Sequence, residues 1–417
     1  MPHAFAVAVE LVTTSLAVAG LGYYWAAILA AFVFLGRKRA APTEAFAPGV
    51  TILKSLKGLD PAMLDAFRSH CRQTYAGEYE LLFGVSTADD PAVQAVAALQ
   101  SQFPDHAIRV VVCPERLGTN GKVSTLIQLV PHARHDYLLI NDSDITVSPR
   151  YLERVMAEMR GSEIKDQGPG IRDQGPASER QGSGIGKRRR HVGLVTALYR
   201  GRPHGSFWSK LEALGIATDF QPAVLLARWI EGGLRYGLGS TLAVSREALA
   251  AIGGLESLVD QLADDYELGA RIYAAGYGVA LCREVVETSV PDYSARGFFD
   301  HQVRWYRTVR DARPGGYAGL VFTFGLGWAL LNVIASGISV WSVWLLALAF
   351  FLRLAVAMAV SANVLADHYV LPNLWLLPLR DLIAMVTWVA GFAGHAIVWR
   401  GERFEVSKGK LRSIKPS

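Results

Sequence analysis

The stretch Tyr137-Leu138-Leu139-Ile140-Asn141-Asp142-Ser143-Asp144-Ile145-Thr146-Val147 decides how the chain is read. Four largely apolar residues run straight into two carboxylates, the pattern of a buried strand that ends at a polar edge. In an extended chain residues two apart point the same way, so Asp142 and Asp144 are expected to converge on one point. Two carboxylates at a strand's end suit a hard divalent ion, Mg²⁺ or Mn²⁺, which takes carboxylate and phosphate oxygens. The same residues also suit a turn with surface carboxylates, and only the surrounding chain discriminates.

Outward from that stretch, short apolar runs alternate with helical patterns. Val50–Leu56, Tyr79–Ser86, Ile108–Cys113, Tyr137–Asn141, Val192–Tyr199 and Ser240–Ser245 read as strands. Helical patterns begin near Pro61, Pro91, Lys122 and Pro149; Pro61 and Pro91 each follow an Asp and Pro149 follows Ser148, a cap and then a first helical position. Such alternation predicts an α/β fold, a mostly parallel sheet with helices on both faces and ligands at the strands' carboxyl ends. Gly161–Arg190 interrupts it. Rich in Gly, Gln, Pro and charge, and nearly repeating Lys165-Asp166-Gln167-Gly168-Pro169 as Arg172-Asp173-Gln174-Gly175-Pro176, it is expected to be a disordered insertion.

The ends of the chain differ from its middle. Of 417 residues 51% are hydrophobic and 19% charged, which excludes a disordered or fibrous chain. No charge occurs from Leu11 to Gly36, and Arg353 is the only one from Pro314 to Ala366. Both stretches exceed the roughly 20 apolar residues that cross a bilayer. A retained anchor at 11–36 is expected, its N-terminus outside and Arg37-Lys38-Arg39 inside. Further spans are expected near Ala318–Val340 and Ser342–Ala362, with a third embedded segment near Leu376–Trp399. Three full crossings there would put the basic tail outside, so one of them is open to an interfacial or re-entrant reading. The net charge of +5 collects beside these segments (Arg37, Lys38, Arg39, Arg400, Arg403, Lys408, Lys410, Arg412), which favours lipid head groups over nucleic acid. Cys71, Cys113 and Cys282 lie far apart and suit a reducing compartment.

Two more clusters carry chemistry. Ala263-Asp264-Asp265-Tyr266-Glu267 opens a helical pattern: acidic residues there are ordinary dipole capping, but one in a cleft could also act as a general base. His301, Arg304 and Trp305 share one helical face just before the apolar run. Arg offers a planar fork to phosphate, and the trio equally suits an interfacial anchor.

In order along the chain, Pro48–Pro61, Asp89-Asp90-Pro91-Ala92, Gly118-Thr119-Asn120-Gly121-Lys122, Asp142-Ser143-Asp144, Asp264-Asp265-Tyr266, Arg304-Trp305 and Trp399-Arg400-Gly401 resemble the membrane glycosyltransferases of the ceramide glucosyltransferase group. Gly193–Gly201, Phe207–Glu212 and Gly237–Ala243 look closest to its hopanoid-biosynthesis branch, which transfers N-acetylglucosamine from its UDP donor to bacteriohopanetetrol. The resemblance implies a GT-A (Rossmann-like) domain at 37–312, an N-terminal tail at 1–10, a C-terminal membrane region at 313–400 and a basic cytoplasmic tail at 401–417. It implies a multi-pass protein of the bacterial inner membrane with its catalytic domain cytoplasmic. It implies a UDP-sugar donor, a hopanoid or ceramide-like acceptor, and Mg²⁺ or Mn²⁺. By the same resemblance Asp90 contacts uridine, Lys122 lies near the nucleotide, Asp142 and Asp144 hold the metal on the diphosphate, Asp265 is the base, Arg304 neutralises the leaving group and Trp305 lines the acceptor site. His301 stands where the family usually has Gln or Arg. A processive polysaccharide synthase shares the motif series but typically has more spans, and a silent nucleotide-sugar scaffold would be expected to have lost a carboxylate.

Overall fold

The computed structural model describes residues 2–37, 46–60, 62–160, 164–165, 189–399, 402–407 and 409–413. The expected insertion at 161–190 therefore lies almost wholly outside the described residues, as do Lys38, Arg39, Pro61, Arg400 and Lys408. The strands are β1 (Val50–Ser55), β2 (Tyr79–Val85), β3 (Ala107–Val112), β4 (Tyr137–Ile140), β5 (Ile145–Thr146), β6 (Ile164–Lys165), β7 (Arg189–Arg190), β8 (Val192–Pro203), β9 (Leu242–Ser245), β10 (Gly278–Val290), β11 (Ala396–Trp399), β12 (Glu402–Ser407) and β13 (Lys410–Ser413).

Eight of them form one sheet in the order β3-β2-β1-β4-β9-β8-β10-β5. β3, β2, β1 and β4 are parallel, as is the β8–β10 pair, while β9 runs against both β4 and β8 and β5 runs against β10. All six expected strands are present. β10, the longest at 13 residues, is one the sequence reading lacks.

Side chains alternate across the sheet, and each face has its own core. Ile52, Leu81, Phe83 and Leu139 pack with the helices Met63–Cys71, Ala92–Gln102 and Tyr151–Arg160. Leu53, Leu82, Leu138 and Ile140 face the other way, onto Val123, Leu126 and Leu129 of the helix Gly121–Leu129. This second core continues into Ala30, Ala31 and Phe34 of the N-terminal helix and into Val360 and Val364. The membrane helices and the domain thus share apolar packing.

Among the described residues three helices are long and apolar enough to cross a membrane: Ala4–Gly36, Val340–Val364 and Leu371–Gly391. The expected span near Ala318–Val340 is instead a pair, Pro314–Thr323 and Gly325–Ala335, meeting at 55°. Its second half lies against the N-terminal helix. The Leu326 amide donates to the Tyr24 hydroxyl at 3.0 Å, and Asn332 Nδ2 donates to Thr13 Oγ1 and Thr14 Oγ1 at 3.1 and 2.7 Å. It therefore runs antiparallel to that helix. Val340–Met358 returns alongside: Leu345 and Ala349 cluster with Ala17, Leu352 and Val356 with Tyr24 and Ala27. At its far end Arg200 Nη1 of β8 donates to the carbonyls of Leu365 and Ala366 at 3.0 and 2.7 Å.

The third embedded segment ends earlier than expected, at Gly391, because β11 begins at Ala396. The expected basic tail is not simply solvated. β11, β12 and β13 form a small antiparallel sheet, and it bridges to the domain through Gln261 and Lys410. Amphipathic alternation in Glu402–Ser407 buries Phe404 and Val406 against Leu262, a contact that charge counting alone conceals.

Candidate active site

β4 delivers its two carboxylates to its polar edge, each with partners of its own. The Ile145 amide donates back to the Asp142 carbonyl at 3.4 Å, so 142–145 is a turn and not an extended segment. Asp142 Oδ1 pairs with Lys122 Nζ at 2.8 Å, whereas Asp144 Oδ2 accepts from Thr288 Oγ1 and the Ser289 amide of β10, at 2.6 and 3.1 Å. Burial and then Asp142 push the Asp144 carboxyl up, with Thr288 opposing.

A buried lysine that the sequence reading did not assign lies beneath this turn. Lys54, with no exposed surface, donates from Nζ to the Asp142 carbonyl at 2.9 Å. Burial pushes it down to about 7, against the pull of Asp144 and Asp142. Its place at an inward position of β1 (Val50-Thr51-Ile52-Leu53-Lys54-Ser55) is the signal that could have revealed it: a lysine inside an apolar strand needs nearby anions.

Lys122 is held by the loop before its helix. Asn120, fully buried, caps that helix through the Val123 amide at 3.2 Å and donates to the Gln261 carbonyl and Asp264 Oδ1 at 2.9 and 3.2 Å. Asp260 Oδ1 accepts from Thr119 N and Oγ1 at 2.9 and 2.8 Å. Lys122 Nζ consequently reaches Asp264 Oδ2 at 3.5 Å as well as Asp142. Burial works to lower it, but Asp142 and Asp264 outweigh burial and hold the ammonium well above its ordinary value.

Asp265 follows on the helix Asp264–Ala274, its Oδ1 accepting from the Tyr266 amide at 2.8 Å. Burial and then Asp264 push it up to about 6, against Lys122. Gly237-Leu238-Gly239 closes over it, and a Cβ at Gly237 would stand 2.6 Å from the Asp265 carbonyl oxygen, so the close backbone approach favours glycine there. Tyr199 of β8, 8% exposed, packs against Phe220 at 5.6 Å and is pushed well above its ordinary value by burial and by Asp265, Glu212, Asp142 and Asp144.

The helix Ala295–Ala312 brings His301, Arg304 and Trp305 together as their spacing predicts. His301 Nδ1 is 3.0 Å from Arg304 Nη2 and 3.3 Å from the Tyr293 hydroxyl; its Nε2 is 3.3 Å from Glu212 Oε1. Glu212 is buried and bound by Gln302, yet burial is outweighed by His301, Arg380 and Arg304, which hold it below the usual carboxylate range. Trp305 packs edge-on against Phe220 at 5.2 Å. Arg380 of the last embedded segment donates to Gln302 Oε1 at 3.0 Å, so this motif helix lies along that segment. Asp90 stands apart from these groups, its carboxylate accepting from the Gly58 amide at 3.1 Å and the Ala92 amide at 2.9 Å.

Four carboxylates (Asp142, Asp144, Asp264, Asp265) thus face two ammonium groups (Lys54, Lys122) across the end of β4. Carboxylates outnumber ammonium groups there, an excess that suits a divalent cation and that the raised Asp144 and Asp265 carboxyls express. Among the described residues no three His, Cys, Asp or Glu side chains form a complete metal-binding group, so a metal there would take part of its shell from phosphate.

Sheet order and site position together are those of a GT-A glycosyltransferase, here fastened to membrane-type helices. Residues 12–165 and 186–412 match glycosyl transferase family 21, and the chain belongs to that family. It is 21% identical over 384 residues to ceramide glucosyltransferase 1 of Caenorhabditis elegans, covering 89% of this chain and 74% of the relative. It is 22% identical over 301 residues to ceramide glucosyltransferase 3 of the same nematode, covering 71% of this chain and 59% of the relative. Among solved structures, a mannosyltransferase from Pyrobaculum calidifontis, in complex with GDP-Man and Mn²⁺, superimposes with a TM-score of 0.51 at 17% identity, covering 92% of this chain and 99% of that one.

Proposed function

We propose that this glycosyltransferase moves a sugar from a UDP donor to a hydroxyl of a membrane lipid with inversion at the anomeric carbon. The observation that carries the reading is a raised carboxyl, Asp265, beside the Lys122–Asp142 pair, while the helix bearing His301, Arg304 and Trp305 lies along an embedded segment. A lipid hydroxyl at head-group depth would meet that carboxylate at the domain's edge. The domain and the basic tail would both be cytoplasmic, in a bacterial inner membrane.

In this reading Asp265 takes the proton of the acceptor hydroxyl as its oxygen bonds to the anomeric carbon. The bond from that carbon to the β-phosphate oxygen breaks, and UDP leaves with the electron pair. Arg304 and Lys122 face the growing negative charge, and Asp90 holds the uridine. Asp142 and Asp144 would hold Mg²⁺ or Mn²⁺, whose chemistry is to neutralise the diphosphate as it departs. Tyr199, Trp305 and His301 border the acceptor. One displacement turns an α-linked donor into a β-glycoside.

For the substrates, the resemblance of the Gly193–Gly201, Phe207–Glu212 and Gly237–Ala243 stretches to the hopanoid-biosynthesis branch is what supports N-acetylglucosamine and bacteriohopanetetrol as the first reading. The ceramide glucosyltransferase names of its relatives favour UDP-glucose and ceramide as the second reading. Membranes carrying the chain, given each donor with each lipid and read by mass spectrometry, separate the two. N-acetylhexosamine added to the hopanoid supports the first, hexose added to ceramide the second. UDP release without either lipid product overturns both acceptors.

A further inference from the structure

The N-terminal helix ends among arginines that the proposed chemistry does not use. Phe34, 2% exposed in its last turn, has the Arg228 guanidinium over its ring at 5.6 Å and that of Arg283 at 6.0 Å. Arg37 joins them: it pairs with Glu158 and donates to the Leu281 carbonyl, each at 3.2 Å, and its own carbonyl accepts from Arg283 Nη1 at 2.7 Å. Those bonds fasten the helix C-terminus, where open carbonyls and the helix dipole favour cationic donors. They account for Arg37 and Arg283 and leave Arg228 over.

Among the described residues Arg228 makes no hydrogen bond and no ion pair; its contact is the Phe34 ring. Glu158 is engaged by Arg37, and Glu231, three residues along, is engaged by Arg313 and Arg235 at 2.6 and 4.0 Å. Burial, with Arg37 beside it, pushes Arg228 down to about 10, against the pull of Glu158, whose carboxylate is bonded to Arg37. The position is interfacial. Phe34 closes the candidate span Ala4–Gly36, and the next residues after Arg228, Trp229 and Ile230, are 42% and 61% exposed. Such aromatic and apolar surface beside cations suits the head-group layer.

We propose that Arg228, with Arg37 and Arg283 around Phe34, binds the phosphate of an anionic membrane lipid. The planar guanidinium fork matches phosphate oxygens, and the inner leaflet supplies them at this depth. The acyl chains would lie along the N-terminal helix, which distinguishes this ligand from a free phosphate ion.

The test uses the full-length protein in a neutral detergent, titrated with phosphatidylglycerol, phosphatidylcholine or inorganic phosphate. Native mass spectrometry reads bound lipid and thermal unfolding reads linkage. Phosphatidylglycerol is expected to bind better than phosphatidylcholine and to raise the unfolding midpoint, with millimolar phosphate unable to displace it. Arg228→Gln is expected to lose about fivefold in phosphatidylglycerol affinity while Arg228→Lys keeps most of it. Equal binding by Arg228→Gln and wild type, or equal midpoint shifts from the two lipids in the wild type, overturns the site. Displacement by free phosphate overturns the lipid as its occupant. The wild-type comparison stands even if Arg228→Gln does not fold.

Discussion

Asp265 is the residue on which the proposed chemistry turns, and its environment makes the role measurable. A base must be unprotonated to accept a hydroxyl proton. With its carboxyl pushed up to about 6, activity is expected to fall as pH drops through that value, well above the ordinary carboxylate range. A kcat/KM profile whose acid limb lies near 4 would remove Asp265 from the role. Asp265→Asn is expected to retain UDP-sugar binding and to lose about 10²–10⁴ in turnover. Glu212 offers a different residue-scale expectation. It accepts from His301 and Gln302, with Arg304 bound to the same imidazole. Glu212→Gln removes the charge but keeps the shape, so kcat should fall about ten- to a hundredfold, the worth of a charged hydrogen bond. Donor KM should stay fixed. A donor KM that rises in step with a constant kcat would show that Glu212 does not act through the His301–Arg304 pair.

At the scale of elements, two contacts hold the membrane helices in register. A Cβ on Gly20 would stand 2.2 Å from the Gly325 Cα, so backbone meets backbone there. Arg353 is bound to Asp381 through Nε and Nη2, at 2.9 and 2.7 Å, and to the Thr218 carbonyl at 2.8 Å. It ties the returning helix to both the last segment and the domain. Arg353→Met leaves Asp381 buried without a partner and is expected to cost about 3–5 kcal/mol, and adding Asp381→Leu is expected to recover much of it. Thermal unfolding in detergent of the single and double variants checks this, and a double variant no more stable than the single one defeats it. These elements also show why some of the fold was legible and some was not. The six strands announced by short, mostly apolar runs, and the His301–Trp305 face, follow from local periodicity. β10 does not, because its register shifts between Cys282 and Val285 and places Arg283-Glu284 inside the run. The turn at 142–145 does not follow from strand periodicity, because the extended run ends at Ile140. Lys54 is not legible from its strand alone, because the anions that make its burial tolerable come from other elements.

For the whole molecule, the small C-terminal sheet connects the far end of the chain to the catalytic loops. Leu411 N donates to the Asp260 carbonyl at 2.8 Å and Leu262 N to the Gly409 carbonyl at 2.9 Å, while Leu262 packs with Ile397, Phe404, Val406 and Leu411. Asp260 and Gln261 in turn hold Thr119 and Asn120, whose helix carries Lys122. The tail therefore buttresses the loop that sets Lys122 against Asp142 and Asp264. Phe404→Ala opens a cavity in this cluster, and an aromatic truncation of that kind costs about 3–5 kcal/mol in a core. That exceeds what so small a sheet can absorb, so the sheet should detach while the eight-stranded domain, with its two separate cores, stays folded. The expected result is a raised donor KM with faster amide exchange confined to 118–123 and 258–264. Exchange that spreads into β1, β2 and β4 would mean that the tail supports the whole domain. Unchanged KM with a detached sheet would mean that the 118–122 loop holds its lysine without help from the C-terminus.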